Sequence, residues 1–128
     1  MNKDQLKQTR SNIRRYHVVE REYRRLTEEL GDSPNDGLSL SGIANGLPSL
    51  HVKGAHDLRV RYEKMLHEVI SIYSWAVEEH ENMRDVAILT GFVDGGMTVD
   101  EVAKHLSVGR TTIYRALNEI IEGYHRSH

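Results

Sequence analysis

The stretch Gly96-Met97-Thr98-Val99-Asp100-Glu101-Val102-Ala103-Lys104-His105-Leu106-Ser107-Val108-Gly109-Arg110-Thr111-Thr112-Ile113-Tyr114-Arg115-Ala116-Leu117 reads as two short helices joined by a three-residue turn. Thr98 is placed to cap the first helix, and Glu101, three residues on, completes a capping box. Val99, Val102, Ala103 and Leu106 mark that helix's buried face. Ser107, Val108 and Gly109 interrupt it, and a second helix begins at Arg110 with Ile113, Ala116, Leu117, Ile120 and Ile121 recurring at three and four residues. That spacing leaves Arg110, Thr111, Tyr114, Arg115 and Asn118 on one outward polar surface. Side chains of these types reach phosphates and base edges in a major groove.

The turn positions have steric roles. Ala103 falls where the two helices come closest and a larger side chain would push them apart, while Val108 plugs the turn into the core. Spacing of this kind also occurs in helical corners that touch no nucleic acid, and the exposed Arg-Thr-Thr-x-Tyr-Arg run is what favours DNA. Within that run Arg115, one turn into the second helix, is suited to a bidentate pairing with a guanine edge. Arg110, at the helix start, is better placed for a phosphate.

Residues 83 to 122 resemble sigma factor region four and the similar helix-turn-helix of DNA invertases and resolvases. The resemblance is carried by Thr98, Glu101, Ala103, Leu106, Val108, Arg110, Thr112, Ile113, Tyr114, Arg115 and Leu117. It implies a DNA-binding face made of Arg110, Thr111, Thr112, Tyr114, Arg115 and Asn118. Two positions depart from the pattern: Ser107 stands where a glycine is usual, which costs strain if the residue is left-handed, and Gly109 stands where a serine usually caps the second helix.

Upstream, residues 4 to 30 have helical periodicity, with Ile13, Tyr16, Val19, Tyr23, Leu26 and Leu30 on one face, and Gly31 is a natural stop. Residues 31 to 54 hold five glycines and both prolines of the chain, which predicts a long flexible connection. From about His56 to His80 a further helix places Leu58, Tyr62, Met65, Leu66, Val69, Ile72, Tyr73, Ala76 and Val77 on one side. Two such stripes are most economically satisfied as an antiparallel hairpin. Met83 to Phe92 then predict the first helix of the DNA-binding unit, with Val86, Ala87, Leu89 and Phe92 inward. The expected fold is all-α: a helical hairpin over 1–82 with the linker 31–54, serving dimerisation or partner binding, followed by a trihelical helix-turn-helix domain over 83–128.

The net charge of −2 over 128 residues is not that of a bulk nucleic-acid coat, so DNA binding has to rest on local charge. Residues 1 to 30 carry eight Lys/Arg against five Asp/Glu, and residues 56 to 96 carry four against eight. The basic first segment therefore has two outlets, along DNA phosphates or against the acidic middle segment. The chain has no cysteine, which removes disulfides and thiolate ligands, and no apolar run of signal-peptide or membrane-spanning length. A soluble, cytoplasmic protein without membrane contact is expected. The aromatic residues Tyr16, Tyr23, Tyr62, Tyr73 and Trp75 suit core or interface positions. Of the eight histidines only His125 and His128 sit at close spacing near the chain end, so no metal or other cofactor is expected. Neither a phosphate-cradling glycine loop nor a nucleophile elbow is present, and no enzyme is expected.

Size, element order and the Arg110 to Leu117 motif together resemble the small late-transcription regulators of Gram-positive phages, the ArpU-like and RinA-like group. That resemblance implies a transcription activator of late genes on double-stranded DNA that touches RNA polymerase through its other helices. Two-fold pairing through the hairpin would double the few base contacts one motif makes, and a homodimer is expected. Two other classes remain open: a small terminase-like packaging subunit, and a protein-interaction module such as an anti-repressor or polymerase-binding factor.

Overall fold

A computed structural model describes residues 1–30 and 49–128. The fold is all-α. The described residues form α1 (Lys3–Arg14), α2 (Tyr16–Leu30), α3 (Ser49–Glu79), α4 (Met83–Val93), α5 (Val99–Leu106) and α6 (Arg110–Ser127). By contacts the chain groups into two compact units, one of Met1–His17 with Leu66–His128 and one of Val18–Met65. This grouping places α1 in the same unit as the helix-turn-helix, across the 82/83 boundary drawn from sequence.

The single helix expected over 4 to 30 is two. The backbone leaves helical geometry at Arg15 (φ −98°, ψ 2°), although its N–H still donates to the Ser11 carbonyl at 3.0 Å. Neither proline nor glycine marks the break, so periodicity passes straight through it. A capping box at the start of α1 fixes its first turn: Asn2 accepts from the Gln5 N–H at 2.8 Å, and Gln5 accepts from the Asn2 N–H at 3.1 Å. The connection expected over 31 to 54 lies outside the described residues through residue 48, and from Ser49 the chain is helical. Extending an existing helix is far cheaper than nucleating one, and one interior glycine, Gly54, costs only about 1 kcal/mol, so the long helix runs back further than expected.

In the unit of Val18–Met65, Val19, Leu26 and Leu30 are buried, and Arg24–Glu20, Arg25–Glu22 and Arg25–Glu29 pair along the exposed side of α2. A hairpin is compatible with this unit. The other unit holds one core of Ile13, Tyr16, Val69, Ile72, Ala76, Ile88, Leu89, Phe92, Val93, Val102, Ile113, Ala116, Leu117, Ile120 and Ile121. Val77, expected on the inner stripe of α3, is 58% exposed instead.

The inward face of α4 also differs from expectation. Ile88, Leu89, Phe92 and Val93 are buried, whereas Val86 is half-buried and Ala87 exposed. The true stripe runs 85, 88, 89, 92 and so carries the carboxylate of Asp85 into the interior. His80 meets it there, Nε2 lying 3.0 Å from Asp85 Oδ2. Asn82 caps α4, accepting from the N–H groups of Arg84 (3.1 Å) and Asp85 (3.2 Å). From α3, the Tyr73 hydroxyl donates to the Asp94 carboxylate at 2.8 Å and ties the end of α4 in place.

Between α4 and α5, Gly96 adopts φ +60°, which favours glycine, and a Cβ there would also press on the His17 ring at 3.0 Å. Thr98 and Glu101 form the expected capping box: Thr98 Oγ1 accepts from the Glu101 N–H (3.2 Å) and Glu101 accepts from the Thr98 N–H (3.1 Å). Ser107 closes α5 in the left-handed region at φ 55°, ψ 47°, and the Val108 N–H donates to the Ala103 carbonyl at 2.9 Å. Gly109 opens α6 with no side-chain cap. Both departures noted in the sequence thus occupy the conformations they put at issue.

Candidate nucleic-acid interface

The interface is built on α6. Its inner positions Ile113, Ala116, Leu117, Ile120 and Ile121 are fully buried against α4 and α5, which fixes the rotation of the helix and hence what points outward. Arg110, Thr111 and Arg115 are exposed, while Thr112, Tyr114 and Asn118 are half-buried. All six residues singled out from sequence therefore lie on the first half of one helix, split into an open edge and a partly covered edge.

On the open edge both arginines are paired. The Nε and Nη2 of Arg110 donate to Asp100 Oδ1 at 2.9 and 2.7 Å, and this hydrogen bond, with the charge of Asp100, raises the guanidinium pKa further. The side chains remain 60% and 74% exposed, so water and salt screen the pair and a competing anion can displace it. Arg115 donates to Glu119 at 3.1 Å, one turn further along the same helix.

The covered edge faces α1, which packs on α6 and α4. To the two outlets read for the basic first segment the structure adds a third, the outward face of α6 itself. Arg10 Nη1 donates to Asn118 Oδ1 at 3.0 Å, and Arg14 Nη1 to the Tyr114 hydroxyl at 3.4 Å. Both guanidiniums also lie over the Tyr114 ring, at 5.0 and 5.4 Å from its centroid. The pairs match because both helices present residues one turn apart, 10 and 14 against 118 and 114. Sequence reasoning had not placed Arg10 and Arg14 at the site. The available signal was the Lys3, Lys7, Arg10, Arg14 spacing, which puts four cations on one helical stripe.

Residues 82–119 match the family model of the helix-turn-helix domain of resolvase. The chain thus carries a resolvase-type helix-turn-helix DNA-binding domain over these residues, and such a domain indicates a DNA-binding function. No curated protein and no solved structure matches the chain. The matched segment runs from the Asn82 cap of α4 to Glu119, and so contains α4, α5 and the outward half of α6. No helix of the described residues is long and apolar enough to cross a membrane.

Proposed function

We propose that the chain is a sequence-specific, double-stranded DNA-binding transcription regulator of phage or mobile-element origin, acting as an activator of late genes. The observation that carries the reading is the resolvase-type motif whose second helix buries one complete stripe and leaves Arg110, Thr111 and Arg115 open beside it. In this reading α6 enters the major groove, Arg115 exchanges Glu119 for a guanine edge, and Arg110 exchanges Asp100 for a phosphate. Thr111, Thr112, Tyr114 and Asn118 complete the surface. Residues 83–128 serve as the DNA-reading domain, and residues 1–82 supply pairing and contact with RNA polymerase. A homodimer is supported by the exposed apolar side chains Ile70 and Val77, one heptad apart on α3. Such a regulator acts in the cytoplasm, where the genome is.

Selection of bound fragments from the source genome, followed by binding measurements on the enriched site, tests this. Arg115→Ala is expected to weaken the true site by roughly 1–3 kcal/mol and to flatten discrimination at one base pair. Arg110→Ala is expected to weaken all sequences alike and to lower the salt slope by about one contact. No binding to any duplex at low salt would transfer the motif to protein interaction, and a large ring in light scattering would favour DNA packaging.

A further inference from the structure

We propose that α1 is a phosphate-gripping element of the DNA interface, with Arg10 and Arg14 holding the DNA backbone alongside the groove that α6 enters. The proposal rests on the reading of α6 as the DNA-reading helix and adds a second element to it.

Charge bookkeeping on this face carries the argument. Arg110 and Arg115, the arginines in the first half of α6, are each neutralised by a carboxylate at 2.7 and 3.1 Å. Among the described residues none of Lys3, Lys7, Arg10 or Arg14 takes part in an ion pair. Where α1 packs on the first half of α6, α1 therefore supplies positive charge that no carboxylate offsets. The four positions recur at steps of four, three and four residues and share one stripe, which on helical rise extends roughly 16 Å.

Arg10 and Arg14 are also held in place as mobile surface arginines are not. Their Nε atoms are buried without a hydrogen-bond partner among the described residues, and their Nη1 atoms are tied to Asn118 and Tyr114. The Nη2 of each is neither buried nor bonded, so each fork retains a free donor. Two like charges over one aromatic ring repel each other, and the ring's quadrupole offsets only part of that. An anion bridging the free donors removes the conflict. Planar guanidinium forks pair bidentately with phosphate, and the DNA backbone flanks any helix seated in the major groove.

The test uses the full chain with two duplexes, the selected site and a random sequence, and reads the slope of log affinity against log salt. The Arg10→Gln/Arg14→Gln double variant is expected to weaken both duplexes alike and to flatten the slope by roughly 1.8, about 0.9 for each lost contact. The ratio between the two duplexes stays that of the parent, in contrast to Arg115→Ala. Because Arg10 and Arg14 also pack on α6, a Lys3→Gln/Lys7→Gln variant is measured beside it; both lysines are exposed, so the fold is kept while the same stripe loses charge. A parental slope in both double variants overturns the proposal and leaves the α6 reading standing, and so does tighter binding, which would make α1 a cover over α6. A parent chain that binds neither duplex at low salt overturns the reading of α6 and this proposal with it.

Discussion

The guanidinium of Arg14 lies 5.4 Å above the ring of Tyr114 and donates to its hydroxyl at 3.4 Å, joining the first helix of the chain to the outward face of α6 across a hundred residues. Arg10 approaches the same ring to 5.0 Å, so one side chain of α6 anchors both arginines. The long hydrogen bond is the weaker part of this contact, and the ring is the stronger. Tyr114→Phe should therefore shift the stability measured by chemical denaturation by no more than about 0.5 kcal/mol, whereas Tyr114→Ala should cost about 1–2 kcal/mol through lost cation–π contact and packing.

Under the proposed reading of α6, Asp100 would compete with DNA for Arg110. Asp100→Asn keeps the shape but removes the charge that the guanidinium faces at 2.7 Å. Affinity for duplexes of any sequence is expected to rise several-fold at low salt, with the gain fading as salt screens the exposed pair. Fluorescence anisotropy across a salt series checks this, and an affinity below that of the parent would show that Asp100 positions Arg110 rather than restraining it.

Ser107 is the sole non-glycine residue among those described with a positive φ. A left-handed conformation costs an L side chain about 1–2 kcal/mol, and glycine returns part of that gain through its freer unfolded state. Ser107→Gly is expected to raise stability by about 0.5–1 kcal/mol without changing DNA affinity. Thermal melts and binding isotherms of the same preparation read both.

The His80–Asp85 pair is a buried polar contact at the start of α4, with Asp85 fully buried and its Oδ1 lacking a partner among the described residues. His80→Leu strands the carboxylate and should cost about 3 kcal/mol. Adding Asp85→Leu removes the stranded group, and the double variant should recover part of that loss. A double-mutant cycle in urea measures the coupling; simple additivity of the two losses would show that the contact contributes nothing.

What the sequence alone determined is local. The Thr98–Glu101 box, the Ser107 to Gly109 turn and the 113, 116, 117, 120, 121 stripe were legible because capping and helical periodicity depend on residues within one or two turns of each other. The set of residues on the outward half of α6 followed from that stripe by elimination. Tertiary structure decided everything that required knowing which surfaces meet. The break at Arg15 carries no proline or glycine, and periodicity could not show it. Nothing in the residues next to Asp85 signals its burial, which followed from the rotation of α4 that turns Ile88, Leu89 and Phe92 inward. Above all, Arg10 and Arg14 stand 108 and 100 positions from Asn118 and Tyr114, their partners on α6. Helical spacing gave each helix its faces, but the docking of α1 on α6 is a long-range choice among several apolar stripes, which only the joint packing of the core resolves.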